Sequence, residues 1–351
     1  MNILIINPGS TSTKIGYFQD ETEIFDETLR HDTKELNPNV AEQYEFRMNI
    51  IEGFLKEKGI NIEDLDTVVG MGGLLKPITS GTWLVNDSMA KDLKAGTYGE
   101  HASNLGGLIS KAIADKIGKK AFIVDPVVVD EFEDISRISG NPILERRSIF
   151  HALNQKATAR EFCNENNLKY ENANLIVVHM GGGVSAGAHF KGRVIDANNA
   201  LDGDGPFTPE RSGGLPSGDL VRLSFSGKYS EKEILQMIKG KGGFTAYFNT
   251  NNMIEVEEKA EKDPKAKLVL DAFCYQVAKE IGLLSTVLEG QVDGIILTGG
   301  IAYSKYVVSE ITKRVRFIAP VKAYPGENEL KALALGALRV LKGEEKEKIY
   351  E

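Results

Sequence analysis

Twice along this chain an apolar run ends on a polar residue, and glycine follows two positions later. Leu4-Ile5-Ile6-Asn7-Pro8-Gly9-Ser10 and Leu175-Ile176-Val177-Val178-His179-Met180-Gly181-Gly182-Gly183 share this layout. Past the glycine an extended stretch resumes, Lys14-Ile15-Gly16-Tyr17-Phe18 in one half and Ser185-Ala186-Gly187-Ala188-His189-Phe190 in the other. A short apolar run bounded by turn residues reads as a buried strand, so each half opens as a hairpin. A chain of 351 residues suits two domains at roughly 150 residues each, and the repeated opening predicts that they are duplicates.

After each hairpin, helical and extended patterns alternate. Tyr44, Met48, Ile51, Phe54 and Leu55 recur at helical spacing up to a stop at Gly59, and Leu105 to Ile117 reads as a helix between strands Val68-Val69 and Phe122-Ile123-Val124. In the second half Asp263 caps a helix with Pro264 in its first turn, and Val269, Phe273, Val277, Ile281, Leu284 and Leu288 make its core-facing stripe. Ile295-Ile296-Leu297 is the next strand. Such alternation marks an α/β fold. Two facing halves predict a cleft between them, where ligands bind.

Composition narrows the function. Hydrophobic residues at 42% and charged residues at 26% supply two cores. A net charge of −8 argues against a general nucleic-acid binder. The start, Met1-Asn2-Ile3-Leu4-Ile5-Ile6, lacks the pattern of a signal peptide, and no apolar run reaches the ~20 residues that span a bilayer. Cys163 and Cys274 are far apart and read as buried small hydrophobes. We therefore expect a cytoplasmic protein of a reducing compartment, with neither nucleic acid nor membrane as partner.

Glycine, at 36 residues, concentrates where chemistry is expected. Asn7-Pro8-Gly9-Ser10-Thr11-Ser12-Thr13-Lys14 is a donor-rich turn suited to phosphate oxygens, or an ordinary Ser/Thr/Gly turn. The triple glycine after His179 lets a ligand approach bare backbone. Gly181-x-Gly183-x-x-Ala186 fits a dinucleotide fingerprint, but that motif needs the glycines to open a helix. Here Ser185 to Phe190 runs into Lys191-Gly192-Arg193, a hairpin pattern. No P-loop motif occurs. Thr298-Gly299-Gly300 admits an adenine or begins a helix, and Asp202 to Gly214 lines a cleft or is a surface loop. The five histidines, His31, His101, His151, His179 and His189, lack zinc-hydrolase spacing. Asp125 ends a strand, where a side chain points toward the ligand crevice of α/β folds. Glu327 and Glu329 precede a helix beginning near Leu330.

The order of these motifs resembles the acetate kinase family, within the superfamily of actin, sugar kinases and heat-shock ATPases. Its butyrate kinase branch is most similar, through Tyr98-Gly-Glu-His101-Ala-Ser-Asn-Leu-Gly-Gly107, Asp125-Pro-Val-Val-Val-Asp-Glu131, Ser148-Ile-Phe-His151-Ala-Leu-Asn-Gln-Lys156 and Asp204-Gly-Pro-Phe-Thr-Pro-Glu-Arg211. The resemblance implies two duplicated βββαβαβα domains of the actin-like, ribonuclease H-like type around a nucleotide cleft. It places one domain at 1–147 plus a returning carboxyl-terminal helix in 326–351, and the other at 148–325. It implies ATP + butanoate = ADP + butanoyl phosphate, by direct in-line transfer and reversibly, with Mg²⁺. A kinase for isobutanoate or another short branched acid, or an actin-like nucleotide-binding protein without acyl-phosphate chemistry, are the alternatives. Relatives pair as homodimers or larger assemblies.

By the same resemblance Asn7, Ser10, Ser12 and Lys14 match the first phosphate segment. His179 is similar to the histidine that stabilises the transferring phosphoryl group, with Gly181, Gly182 and Gly183 beside the nucleotide phosphates. Asp125 and Glu329 match the magnesium carboxylates, and Gly299 and Gly300 the adenosine turn. Met71 stands where the branch places one arginine. A second family arginine lies in an Arg-Ser-Gly-Asp run, and because Ser217-Gly218-Asp219 here lacks an adjoining arginine, the earlier Arg211 is the candidate for that phosphate-facing charge. His101, His151, Val178 and Pro209 are the implied substrate-binding residues.

Overall fold

The computed structural model describes residues 1–32, 34 and 36–351. The chain divides into two units, one of Met1–Asp130 with Asn328–Glu351 and one of Glu131–Glu327. The first unit's strands are β1 (Asn2–Pro8), β2 (Ser12–Gln19), β3 (Thr22–Arg30), β4 (Thr67–Gly70), β5 (Thr82–Leu84) and β6 (Lys120–Val124). The second holds β7 (Asn174–Met180), β8 (Val184–Phe190), β9 (Arg193–Ala197), β10 (Gly294–Gly299) and β11 (Val321–Pro325). The final strand, β12 (Lys348–Ile349), joins the first sheet, whose order is β12-β5-β6-β4-β1-β2-β3. The second sheet runs β11-β10-β7-β8-β9.

The duplication predicted from the strand–glycine layout is present in the pairing. β1 is antiparallel to β2 and parallel to β4, while β7 is antiparallel to β8 and parallel to β10. The third strand of each meander, β3 or β9, and the outer parallel strand, β6 or β11, complete two matching five-stranded sets. The fold is α/β, with β5 and β12 as additions at one edge of the first sheet. Val178 faces Ala186 and His179 faces Ser185 across the second hairpin, so the triple glycine turns a hairpin and opens no helix. The dinucleotide fingerprint is thereby excluded.

The helices follow the apolar stripes. Tyr44–Glu57 buries Met48, Ile51, Phe54 and Leu55. Pro264–Val287 buries Phe273, Val277, Ile281 and Leu284, and its N-cap Asp263 accepts from the Lys265 N–H. Two helices change units. Ala152–Glu165 follows β6 in the chain but packs on β7 and β10, and Glu329–Leu341 follows β11 but packs on β1, β4 and β6.

The division at Asp130/Glu131 falls earlier than the expected 147/148. Glu131 is bound to Lys156, the Glu133 N–H donates to the Ile195 carbonyl, and Arg146 pairs with Asp196, so this segment belongs to the second unit. Both cysteines are buried and free; burial pushes the Cys163 thiol up to about 11 and the Cys274 thiol up to about 12. Among the described residues no helix is long and apolar enough to cross a membrane.

Candidate functional site

In the second unit the end of β7 gathers most of the singled-out residues. His179 is 2% exposed. Its Nδ1 lies 2.8 Å from Asn154 Oδ1 and its Nε2 lies 3.1 Å from Glu327 Oε1. Both ring nitrogens are thus engaged, which fixes the orientation of the ring. His151, at the start of the Ala152–Glu165 helix, stacks on it with ring centroids 3.8 Å apart and 14° between the planes. Burial, then the neighbouring His179 and Arg211 charges, hold His151 well below the ordinary histidine range, so the stacked partner is neutral.

The Gly181–Gly183 turn adjoins these rings. A Cβ on Gly181 would sit 2.9 Å from Glu327 Oε1, and one on Gly183 would sit 2.0 Å from Arg211 Nη1. Glycine at 183 therefore makes room for the guanidinium. Asp202 to Gly214, left open between cleft and surface loop, is tied to this turn: the Thr208 hydroxyl donates to the Gly182 carbonyl and accepts from the Arg211 N–H. Arg211 also donates to the Ala200 carbonyl. Burial draws its guanidinium below the ordinary arginine value, opposed by Glu210 and Asp202, yet an arginine keeps its charge. Gly299, at φ +87, lets β10 end against Met180, whose carbonyl oxygen would lie 2.4 Å from a Cβ there. Gly300 has open space where a side chain would be, as bare backbone for a flat ligand requires. Pro209 is buried, and its carbonyl accepts from Thr245.

Val178 does not face this site. It is fully buried in the core around Phe244 and Phe273, because successive strand residues point to opposite faces. With His179 turned toward the Ala152–Glu165 helix, Val178 is turned toward Pro264–Val287.

The Pro264–Val287 helix carries a stability consequence. Glu280 is pushed up to about 7 by burial and then by Asp204, with Arg146 opposing. Between the unfolded value of 4.5 and about 7 the native chain retains a proton that the unfolded chain has released. Stability contributed by this group is therefore lost as pH rises through that window. Glu280→Gln is expected to gain about 3 kcal/mol relative to wild type on going from pH 4.5 to pH 8. Urea unfolding at the two pH values checks this, and identical pH dependence in both proteins would refute it.

The first unit holds the other candidates. The β1–β2 turn is closed by the Gly9 N–H donating to the Ser12 carbonyl, with Ser10 exposed and Ser12 half-buried. Arg47, which no sequence motif singles out, is fully buried beneath it. Its guanidinium donates to the carbonyls of Gly9, Ser10 and Ser12, to Thr13 Oγ1 and to Gln43 Oε1. Carbonyl lone pairs that would repel an anion are thus occupied. Asn7 Nδ2 donates to Glu329 Oε2 at 2.8 Å. Lys14 lies opposite Asn7 in the hairpin, but its ammonium is 3.1 Å from Asp26.

Asp125 follows β6 at φ +39 and is 4% exposed. The Gly81 N–H donates to its Oδ1 at 2.7 Å, and its own N–H donates to the Gly81 carbonyl. His101 is exposed, with Nδ1 2.8 Å from Ser103 Oγ. Met71 continues β4, its N–H donating to the Ile6 carbonyl.

Two five-stranded α/β sets, each ending its first strand in a glycine turn, define the actin-like fold of acetate and propionate kinases. Acetate kinase of Porphyromonas gingivalis matches with a TM-score of 0.78 at 17% identity, covering 97% of this chain and 99% of that one. A propionate kinase of Francisella tularensis matches at 0.73 and 18%, covering 95% and 98%. Residues 140–329 match the model of the acetokinase family. Butyrate kinase 2 of Clostridium acetobutylicum is 61% identical over 99% of each chain, and butyrate kinase 1 of the same organism is 59% identical over the same shares. The chain belongs to the acetokinase family.

Proposed function

We infer that this chain is an ATP-dependent carboxylate kinase that converts ATP and butanoate to ADP and butanoyl phosphate, reversibly. The observation that carries the reading is full-length likeness, at 61% identity, to a protein named butyrate kinase 2. The chemistry agrees with the residues. A carboxylic acid with a pKa near that of glutamate, about 4.3, is ionised at pH 7, so the nucleophile needs no general base. The obstacle is the approach of two anions, which fixed donors and cations relieve.

In this reading His179 and Arg211, flanking Gly181–Gly183, bind and stabilise the transferring phosphoryl group, and His151 offers a neutral donor beside them. Ser10, Ser12 and Asn7 hold phosphate oxygens on the turn braced by Arg47. Gly299 and Gly300 receive adenosine, and His101 and Pro209 belong to substrate binding. The carboxylates of Asp125 and Glu329 would hold Mg²⁺. They are hard oxygen donors, and Mg²⁺ characteristically takes one or two carboxylates with substrate phosphates rather than an all-protein cage. Among the described residues no group of three or more His, Cys, Asp or Glu side chains forms such a cage. When bound, Mg²⁺ neutralises phosphate charge; orientation and exclusion of water fall to the protein.

Incubation with ATP, Mg²⁺, hydroxylamine and a series of C2–C6 acids tests this directly. Butanoate is expected to give the highest kcat/KM for hydroxamate. A branched acid in first place would reassign the substrate, and no product from any acid would overturn the kinase reading.

A further inference from the structure

The Ala152–Glu165 helix buries three consecutive polar side chains, Asn154, Gln155 and Lys156, the last two completely. Asn154 serves His179. Gln155 heads a separate set of contacts that leads to His151. We propose that Tyr170, His189, Gln155 and Ser185 form a one-way hydrogen-bond chain that fixes His151 as the neutral tautomer with its proton on Nε2.

The direction follows from what each group is able to donate. One end of the Gln155 amide lies 2.9 Å from the Ser185 backbone carbonyl. A carbonyl only accepts, so that end is Nε2 and the other is Oε1. Oε1 lies 3.1 Å from His189 Nε2, which must then carry a proton. Burial, with the Lys156 and Arg160 charges prevailing over Glu131, holds His189 well below the ordinary histidine range, so the ring is neutral and its Nδ1 is an acceptor. The Tyr170 hydroxyl, 2.8 Å away, supplies that proton.

Toward the site, Ser185 Oγ accepts from Gln155 Nε2 at 2.9 Å and from the His151 backbone N–H at 3.2 Å. Both lone pairs of the hydroxyl are then occupied. Its single proton is left for the remaining neighbour, His151 Nδ1 at 2.8 Å. Nδ1 is an acceptor, and the ring proton sits on Nε2. Protonating Nδ1 would aim a hydrogen at an oxygen with no lone pair to offer. The stack acts in the same sense: a cationic His151 ring with its centroid 3.8 Å from that of His179 would lose the neutral face-to-face contact. Of the groups facing His151, His179 and Arg211 oppose its protonation. Ser185 and Gln155 are positioning residues; on the carboxylate-kinase reading, the fixed Nε2–H is a ready donor to an anionic oxygen.

Nitrogen NMR of the full chain with ¹⁵N-labelled histidine, without ligands, reads the tautomer apart from any activity. His151 is expected to show a pyrrole-type Nε2 and a pyridine-type Nδ1 at neutral pH. Gln155→Glu places a carboxyl group there, which keeps one proton for the Ser185 carbonyl and offers its oxygen to the Ser185 hydroxyl, so the hydroxyl turns and the two signal types exchange. Ser185→Ala yields mixed tautomers, and Ser185→Thr restores the single form. In the kinase assay Ser185→Ala lowers kcat at least ~10-fold, with the KM for butanoate changed less. A pyridine-type Nε2 in the wild type, or an unchanged tautomer in both Gln155→Glu and Ser185→Ala, would overturn the proposal. An inactive wild type with the expected tautomer would instead defeat the kinase reading alone.

Discussion

His179→Ala is expected to lower kcat for butanoyl phosphate formation by more than ~10²-fold, the size of effect that follows loss of one preorganised group at developing charge. The ring is almost wholly buried, and Asn154 and Glu327 fix it from both sides. Such a group needs no reorganisation as charge moves to the γ-phosphate, and in a desolvated setting its field is poorly screened. The KM for butanoate should change much less than kcat, because the group acts on the transferring phosphoryl rather than on the acid. Loss of a buried ring stacked on His151 also costs packing, so the variant must show a cooperative unfolding transition before its rate is interpreted. A folded variant with kcat close to wild type would remove His179 from the chemistry.

The residues that make this ring act were the less legible ones. Glycine placement and strand–turn periodicity point to His179, to the triple-glycine turn and to the duplicated fold, because hairpin geometry is written locally. Asn154, Gln155 and Lys156 look in sequence like the solvent face of a helix, and their burial follows only from where that helix docks, on β7 and β10 of the second unit. Arg47 carried a signal that was available: three residues after Tyr44 and beside Met48, it lies on the core-facing side of its helix, where an unaccompanied cation is unexpected. The burial of Val178 in the core around Phe244 and Phe273 is hidden for the converse reason. Adjacency to His179 in the chain is opposition across the sheet. The place of Lys14 in the motif makes it a phosphate candidate, but its ion pair with Asp26 on β3 depends on a strand pairing that the motif does not show. The short β5 and β12 carry too few residues for an alternation to be seen.

Asp125→Asn is expected to reduce kcat by more than ~10²-fold as well, and the local backbone makes it a clean substitution. A non-glycine residue at φ +39 occupies the left-handed region, which asparagine and aspartate tolerate better than other side chains. Asn Oδ1 keeps the 2.7 Å bond from the Gly81 N–H, so this contact of the turn after β6 is retained while the negative charge is removed. Asp125→Ala would forfeit both the conformational fit and that hydrogen bond, and would confuse a stability loss with a catalytic one. If the carboxylate holds Mg²⁺ as proposed, the Asn variant needs a higher Mg²⁺ concentration for half-maximal rate. It also binds Mn²⁺ more weakly in the presence of ADP, as followed by electron paramagnetic resonance. Unchanged Mn²⁺ affinity together with a wild-type rate would take Asp125 out of the metal site and leave its carboxylate as a brace for Gly81.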